Sequence, residues 1–151
     1  MTRTAVDSSV LVAALASWHE NHREAFRTLE SALAEGPALV VPTDALTEAY
    51  AVLTRLPAPH RLSPQVALEL LRESFRGAQV VAVAPRETWG FLEKCAAGQV
   101  AGGAVYDARI VAAAVKGHAD RILTFNARHF ERLAPPGLDV VVPGPSSVLE
   151  T

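Results

Sequence analysis

The sequence is poor in the features that mark several common classes of protein. Cys95 is the only cysteine among 151 residues, so an intramolecular disulfide and a zinc site built on several thiolates are both excluded. A single cysteine fits a reducing cytoplasm, where we expect the protein to act. The formal net charge is only −2, so no strong basic field favours nucleic acid as a partner.

Long apolar runs are also missing. No uninterrupted apolar stretch approaches the roughly 18 to 20 residues that a membrane-spanning helix needs. Residues 10–16 after Arg3 imitate the apolar part of a signal peptide, but Asp7, Ser8 and Ser9 interrupt the pattern. Cleavage there would also remove what looks like the first strand. We therefore expect neither membrane insertion nor export.

What is abundant is apolar sequence in short segments, since half of the residues are hydrophobic. Apolar segments with strand character alternate with longer segments of helical spacing. Strands that are apolar on both faces and separated by helices indicate a mostly parallel sheet covered on both sides. We expect residues 1–151 to form one α/β domain with three layers, α/β/α, around a sheet of about five strands. The candidate strands are residues 4–6, 39–41, 80–83, 121–124 and 140–142.

Large apolar residues recur at helical spacing between these strands and predict helices. The clearest sets are Phe26, Leu29 and Leu33, and Val66, Leu70 and Phe75. Pro42-Thr43 reads as a strand end followed by a helix N-cap, Ser63-Pro64 as an N-cap and first helical residue, and Gly117 as a helix stop.

Four polar residues stand beside apolar segments: Asp7, Glu48, Asp107 and Asn126. Ligands bind beyond the carboxyl ends of parallel strands, and Asp7 and Asn126 each closely follow a predicted strand. Glu48 falls in the second turn of a helix, and Asp107 in the first turn of the helix after Gly102-Gly103. We expect the helix dipole to lower the pKa of such carboxyls and keep them ionised. Oxygen ligands without supporting Cys or His favour Mg²⁺ or Mn²⁺ over Zn²⁺.

Each of these residues also has an ordinary interpretation. Asp7 could cap the helix that follows it, Asn126 could cap a helix over residues 127–133, and Glu48 could be a surface residue beside Asp44 or paired with Arg55. Asp107 is harder to explain in this way, because its helical neighbours are apolar and Arg109 faces elsewhere at i+2. The joint pattern, rather than any single residue, indicates a metal site.

The ordered set of motifs resembles the PIN domain and, within it, the VapC ribonuclease toxins of type II toxin–antitoxin pairs. The motifs are Asp7-Ser8-Ser9 after the first strand, Glu48 following Val40-Val41-Pro42, Tyr106-Asp107-Ala108 opening a late helix, and Ile122-Leu123-Thr124-Phe125-Asn126 before Arg128-His129-Phe130. The resemblance implies a metal-dependent endoribonuclease that hydrolyses RNA phosphodiester bonds and uses Mg²⁺ or Mn²⁺.

By this resemblance, Asp7, Glu48 and Asp107 are the metal-binding carboxylates. Glu48 serves as a ligand or as the base that orients water. The fourth family position, often Asp, is Asn126 here, and a neutral amide binds a cation less strongly than a carboxylate. The resemblance also implies a homodimer and a cognate antitoxin whose apolar segment docks in a groove.

Further residues extend this hypothesis. The hydroxyls of Ser9 and Thr124 could hydrogen-bond water or a carboxylate near the metal, or act as ordinary capping and strand-end groups. Positive side chains in the last third could grip RNA phosphates or form a solvated helical surface. These are Arg109, Lys116, Arg121, Arg128, His129 and Arg132.

Two rival functions remain open. One is a partner-binding domain that has kept the fold and the acidic pocket without catalysis, with Asn126 as the sign of lost activity. The other is a parallel-sheet phosphohydrolase that acts on a small phosphate ester.

Overall fold

In the computed structural model, which describes residues 2–34 and 39–145, five short strands form one parallel sheet in the order β3-β2-β1-β4-β5. The predicted α/β fold with a parallel sheet is confirmed, and each predicted strand is found with its ends shifted by at most two residues. The strands are β1 Thr4–Val6, β2 Val40–Pro42, β3 Gln79–Val81, β4 Arg121–Leu123 and β5 Asp139–Val141.

Helices fill the connections between the strands. They are α1 Ser8–Leu15, α2 His22–Ala34, α3 Thr43–Arg55, α4 Pro64–Ser74, α5 Thr88–Ala97, α6 Ala104–Lys116 and α7 Ala127–Glu131, with a 3₁₀ turn at Pro85–Glu87. The connections from β1 through β2 to β3 step one way across the sheet, and those from β3 through β4 to β5 step the other way. Because such crossovers are right-handed, α1 to α4 lie on one face of the sheet and α5 to α7 on the other. None of the helices within residues 2–34 and 39–145 is long and apolar enough to cross a bilayer.

Local sequence signals explain several helix ends. Ser63 caps α4 by accepting from the Val66 N–H at 3.3 Å. Gly102 has a φ of +62° in the turn that leads into α6, a conformation that glycine adopts without steric cost. Thr43 is the first residue of α3 and not its N-cap, since its hydroxyl donates across to the Val81 carbonyl. Gly117 ends α6 where a Cβ would lie 2.7 Å from the Val40 side chain.

The helices bury small residues more than large ones. Ala25, Ala45, Ala49 and Ala67 are fully buried on α2, α3 and α4. Of the large residues whose spacing predicted α2, Leu29 is buried, whereas Phe26 and Leu33 are about half exposed; on α4, Val66 is too. Helical spacing therefore predicted the helices correctly, but alanine forms much of the close contact because a short side chain lets backbones approach.

The strand order places the carboxyl ends of β1 and β4 side by side. The chain leaves β1 toward one edge of the sheet and returns to β4 on the other side of β1, so the strand order reverses between these two strands. Such a reversal opens a crevice beyond the carboxyl ends of the strands, where ligands of open parallel sheets bind. Asp7 and Asn126 both lie at this crevice.

Candidate active site

Asp7 is buried at the end of β1 and is held by four hydrogen-bond donors. Its Oδ1 accepts from the Ser9 N–H at 2.9 Å, the Val10 N–H at 3.3 Å and the Ser9 hydroxyl at 2.6 Å. Its Oδ2 accepts from the Thr124 hydroxyl at 2.6 Å. The capping interpretation is thus true of Oδ1, because Asp7 is the N-cap of α1. A carboxylate oxygen has about two acceptor sites, so Oδ2 keeps one for a further ligand.

The two predicted hydroxyls tie β1 to β4 at the crevice. While donating to Asp7, the Ser9 Oγ accepts from the Phe125 N–H at 3.0 Å and the Thr124 Oγ1 accepts from the Asn126 N–H at 2.9 Å. The prediction that they bond a carboxylate is confirmed. Residues from two ends of the sequence therefore fix the orientation of one buried carboxylate.

Asn126 follows β4 with an exposed side chain. It occupies the N-cap position of α7, which ends at Glu131, but its amide makes no capping hydrogen bond. The capping interpretation is therefore wrong for this side chain, because the turn orients only the backbone of Asn126. The amide oxygen is free to meet a ligand in the crevice.

Asp107 lies half-buried in the first turn of α6. Its Oδ2 is 3.9 Å from the Nδ1 of His129 on α7, a neighbour that the sequence did not predict. Arg109 indeed faces elsewhere, because its Nε donates to Asp44 at 2.6 Å. That ion pair joins α3 to α6, the two helices that carry Glu48 and Asp107.

Burial raises the pKa of both aspartates. For Asp7, loss of water around the carboxylate outweighs the hydrogen bonds from Ser9, Thr124 and Val10 that favour its charged form. For Asp107, burial also raises the pKa, and the nearby His129 only partly opposes this. The expectation that the helix dipole would lower the pKa of Asp107 is therefore wrong, since desolvation is the larger effect.

Glu48 is exposed in the second turn of α3. It forms no hydrogen bond or ion pair with any residue that the structure describes, including Arg55. The neighbouring Asp44, one turn earlier, is occupied by Arg109. The Glu48 carboxylate is thus free to move, in contrast to that of Asp7.

The donor set fits a hard divalent cation in an open site. Asp7 and Asp107 are carboxylates whose charge burial disfavours, and a cation would restore it. Within residues 2–34 and 39–145, no three His, Cys, Asp or Glu side chains are grouped closely enough to hold a metal. Mg²⁺ commonly uses one or two carboxylates with water and substrate phosphate, so an open arrangement is compatible with it. The joint assignment of Asp7, Glu48 and Asp107 to one ion stays a prediction.

The positive side chains of the last third do not form one surface. Lys116 pairs with Glu87 at 2.6 Å. Arg121 is buried at the start of β4, with its Nε donating to Thr4 at 2.9 Å, so it lies at the end of the sheet away from the crevice. The proposed set of six is therefore wrong as a unit, because burial and pairing remove Arg109, Lys116 and Arg121. The remaining three residues, Arg128, His129 and Arg132, line a depression on α7.

Several of the large hydrophobic residues on α3 and α4 line an apolar groove. It has a volume of about 720 Å³ and runs between α3, α4 and the edge strand β3. Its walls include Leu46, Tyr50, Leu68, Phe75 and Val80. The sequence predicted extra apolar surface but did not indicate where these side chains meet.

Comparison with known proteins identifies the family. Residues 4–135 match the PIN domain. Ribonuclease VapC40 of Mycobacterium tuberculosis is 39% identical over 127 residues, which cover 84% of this chain and 89% of that protein.

Two solved structures share the fold at low sequence identity. The M. tuberculosis toxin VapC20, described as cleaving the sarcin–ricin loop, superposes with a TM-score of 0.65 at 16% identity, covering 85% of this chain and 93% of its own. VapBC2 of Rickettsia felis, bound to a DNA fragment from its promoter, gives 0.66 at 15% identity, covering 95% and 100%. The PIN-domain match covers most of this chain, and VapC40, at 39% identity, aligns over most of both chains. This chain therefore belongs to the PIN-domain family.

Proposed function

We propose that this protein is a metal-dependent endoribonuclease and the toxin of a type II toxin–antitoxin pair. One observation carries the proposal: Asp7 is a buried carboxylate, held by Ser9 and Thr124 at the strand reversal, in a PIN-domain chain that is 39% identical to a protein named a ribonuclease. Among the residues that the structure describes, no basic side chain pairs with Asp7. Burying such an aspartate costs free energy, which a metal site at this position explains.

In this proposal Asp7 and Asp107 are the direct ligands of Mg²⁺ or Mn²⁺. A bound divalent cation supplies positive charge where phosphodiester hydrolysis builds negative charge on the phosphoryl oxygens. Ser9 and Thr124 keep the Asp7 oxygens in one orientation, and such supporting hydrogen bonds tune a ligand. Asp107 lies 3.9 Å from His129, beyond hydrogen-bond distance, and can adjust to the cation.

Glu48 and Asn126 have more mobile roles in the same proposal. Glu48, exposed on α3, orients the attacking water and accepts its proton, or joins the metal ligands when substrate is present. Asn126 contributes a neutral amide oxygen, as an outer ligand or to a second, weaker ion. The substrate is RNA, whose unpaired bases can reach an open crevice.

The proposed partners are a cognate antitoxin and a second copy of this chain. The apolar groove along α3 and α4 offers a docking surface for an amphipathic segment, a common recognition mode. Basic residues Arg72 and Arg76 lie at one end of the groove and favour an acidic flank on that segment. We expect this complex to act in the cytoplasm.

Cleavage of structured RNA by the purified protein tests the proposal. We expect cutting that requires Mg²⁺ or Mn²⁺, stops with EDTA and is lost in Asp7→Asn. Asp139→Asn is the matched control, because Asp139 is an exposed aspartate at the start of β5, at the opposite end of the sheet. RNA left intact together with tight antitoxin binding would favour the non-catalytic partner-binding domain. Turnover of small phosphate esters alone would favour the phosphohydrolase.

A further inference from the structure

We propose that Arg128 on α7 and Arg132, the C-cap of that helix, bind backbone phosphates of the RNA strand beside the cleaved bond. These two residues are called here the α7 arginine pair. The proposal rests on the ribonuclease function and adds to it a substrate-binding surface outside the carboxylate site. The sequence offered six positive residues for this task, and the structure separates these two from most of the others.

The α7 arginine pair is free of internal partners. Both side chains are exposed, and neither forms an ion pair or hydrogen bond with any residue that the structure describes. Arg109 and Lys116, by contrast, are each bonded to a carboxylate at 2.6 Å. A guanidinium without a protein partner keeps its five donors for phosphate oxygens, which it can bind in a bidentate manner.

The geometry of α7 directs the pair to one side. Arg128 and Arg132 are four residues apart, so they lie on one face, with Cβ atoms about 6 Å apart. Phe130 between them is fully buried and fixes the helix to the body of the protein. Together with His129 and Glu131, the pair lines a shallow depression of about 530 Å³.

The depression adjoins Asp107, one of the candidate metal carboxylates. His129, which lines it, is 3.9 Å from Asp107, so the depression is within reach of an RNA strand whose phosphate meets Asp107. Glu131 is the one carboxylate in the lining, and it pairs with neither arginine among the described residues. Two arginines against one glutamate leave the depression positive, which is the charge that a phosphate backbone requires.

Binding of a fluorescent, single-stranded RNA of random sequence tests the pair. The titration uses the whole protein in EDTA, so that the RNA stays intact, and compares the wild type with Arg128→Gln/Arg132→Gln. We expect the double variant to bind at least about tenfold more weakly. Its plot of log affinity against log salt should be shallower by about 1.4, since each phosphate contact to a single strand contributes about 0.7.

A matched control and a rescue variant separate this effect from a loss of net charge. Arg23→Gln/Arg27→Gln on α2 removes two exposed arginines with the same spacing, and neither of them lines the groove or the depression beside α7. We expect it to bind RNA as the wild type does. Arg128→Lys/Arg132→Lys keeps the charge and should recover most of the affinity and the salt slope.

Cleavage with Mg²⁺ provides a second readout. We expect Arg128→Gln/Arg132→Gln to raise KM and leave kcat nearly unchanged, the pattern of lost uniform binding. Equal RNA affinity in the α7 variant and the α2 control would overturn the inference. Metal-dependent cleavage by the wild type would in that case still support the proposed function. Loss of binding to polyglutamate but not to RNA would overturn it as well, in favour of an acidic protein partner. A wild type that binds RNA through α7 but cuts none would overturn the proposed function, and with it the placement of the pair beside a cleaved bond.

Discussion

The candidate site has two halves that differ in how firmly they are held. In the strand-end half, Asp7 is almost fully buried and fixed by Ser9 and Thr124 through bonds of 2.6 Å. In the helix half, Glu48 is exposed and Asp107 lies 3.9 Å from His129, and neither carboxylate accepts a hydrogen bond from a residue that the structure describes. The difference teaches that the sheet sets the position of one carboxylate in advance, while the helices leave the others able to adjust to a metal and a substrate.

The largest expected effect comes from the helix half. Asp107→Ala should lower the rate of RNA cleavage by at least about 100-fold, because a lost metal ligand removes several kcal/mol of transition-state stabilisation. The fold should persist, since the variant removes a half-buried carboxylate whose charge burial disfavours. Single-turnover cleavage and circular dichroism measure the two effects. Undiminished cleavage would remove Asp107 from the site.

A pair of threonine variants compares the two ends of the sheet. Thr124→Val removes the hydroxyl that bonds Asp7, and we expect activity to fall about 10- to 100-fold. Thr4→Val removes another buried hydroxyl, at the other end of the sheet, where it accepts from Arg121. Each variant should lose about 1 to 3 kcal/mol of stability, but only Thr124→Val should lose activity. Equal activity losses, measured beside denaturant unfolding, would show that the hydroxyl of Thr124 has no special role.

The ion pair between Asp44 and Arg109 tests whether the helix half needs a link between α3 and α6. Because about a third of each side chain is exposed, Asp44→Asn or Arg109→Gln should cost at most about 1 kcal/mol of stability. We expect a loss of activity of about tenfold or less, and a double variant no worse than either single one. Independent, additive losses in this double-mutant cycle would contradict a shared positioning role.

The smallest expected effect is on the stability of the metal-free protein. The folded state binds a proton at Asp7 more tightly than the unfolded chain, whose pKa is near the ordinary 3.8. The contribution of Asp7 therefore falls as the pH rises from that value through the raised, folded-state pKa. Asp7→Asn should be more stable than the wild type at neutral pH in EDTA, and this advantage should shrink in acid. A thermal-melt difference that does not change with pH would contradict this account.

Much of the fold could be predicted because β1 and β4 are apolar on both faces and separated by helical segments. Asp7 and Asn126 follow from the same pattern, since residues after parallel strands meet at one edge of the sheet. The contacts of the helix half were harder to predict from the sequence. The contacts of Asp107 with His129 and of Asp44 with Arg109 depend on how helices cross, which no local spacing encodes.

Burial was the other quantity that spacing could not supply. Position in a helix suggested a lowered pKa for Asp107, but its surroundings in the folded protein raise it. Arg121 looked like a surface cation and is instead buried beside Thr4. The single domain over residues 1–151, the homodimer and the shared ion stay predictions.

Anomalous diffraction from crystals grown with Mn²⁺ tests the central claim most directly. We predict a manganese peak at the carboxyl ends of β1 and β4, bonded to Asp7 and Asp107, with Glu48 turned toward it. A peak elsewhere, or the two aspartates on different ions out of each other's reach, would contradict the account.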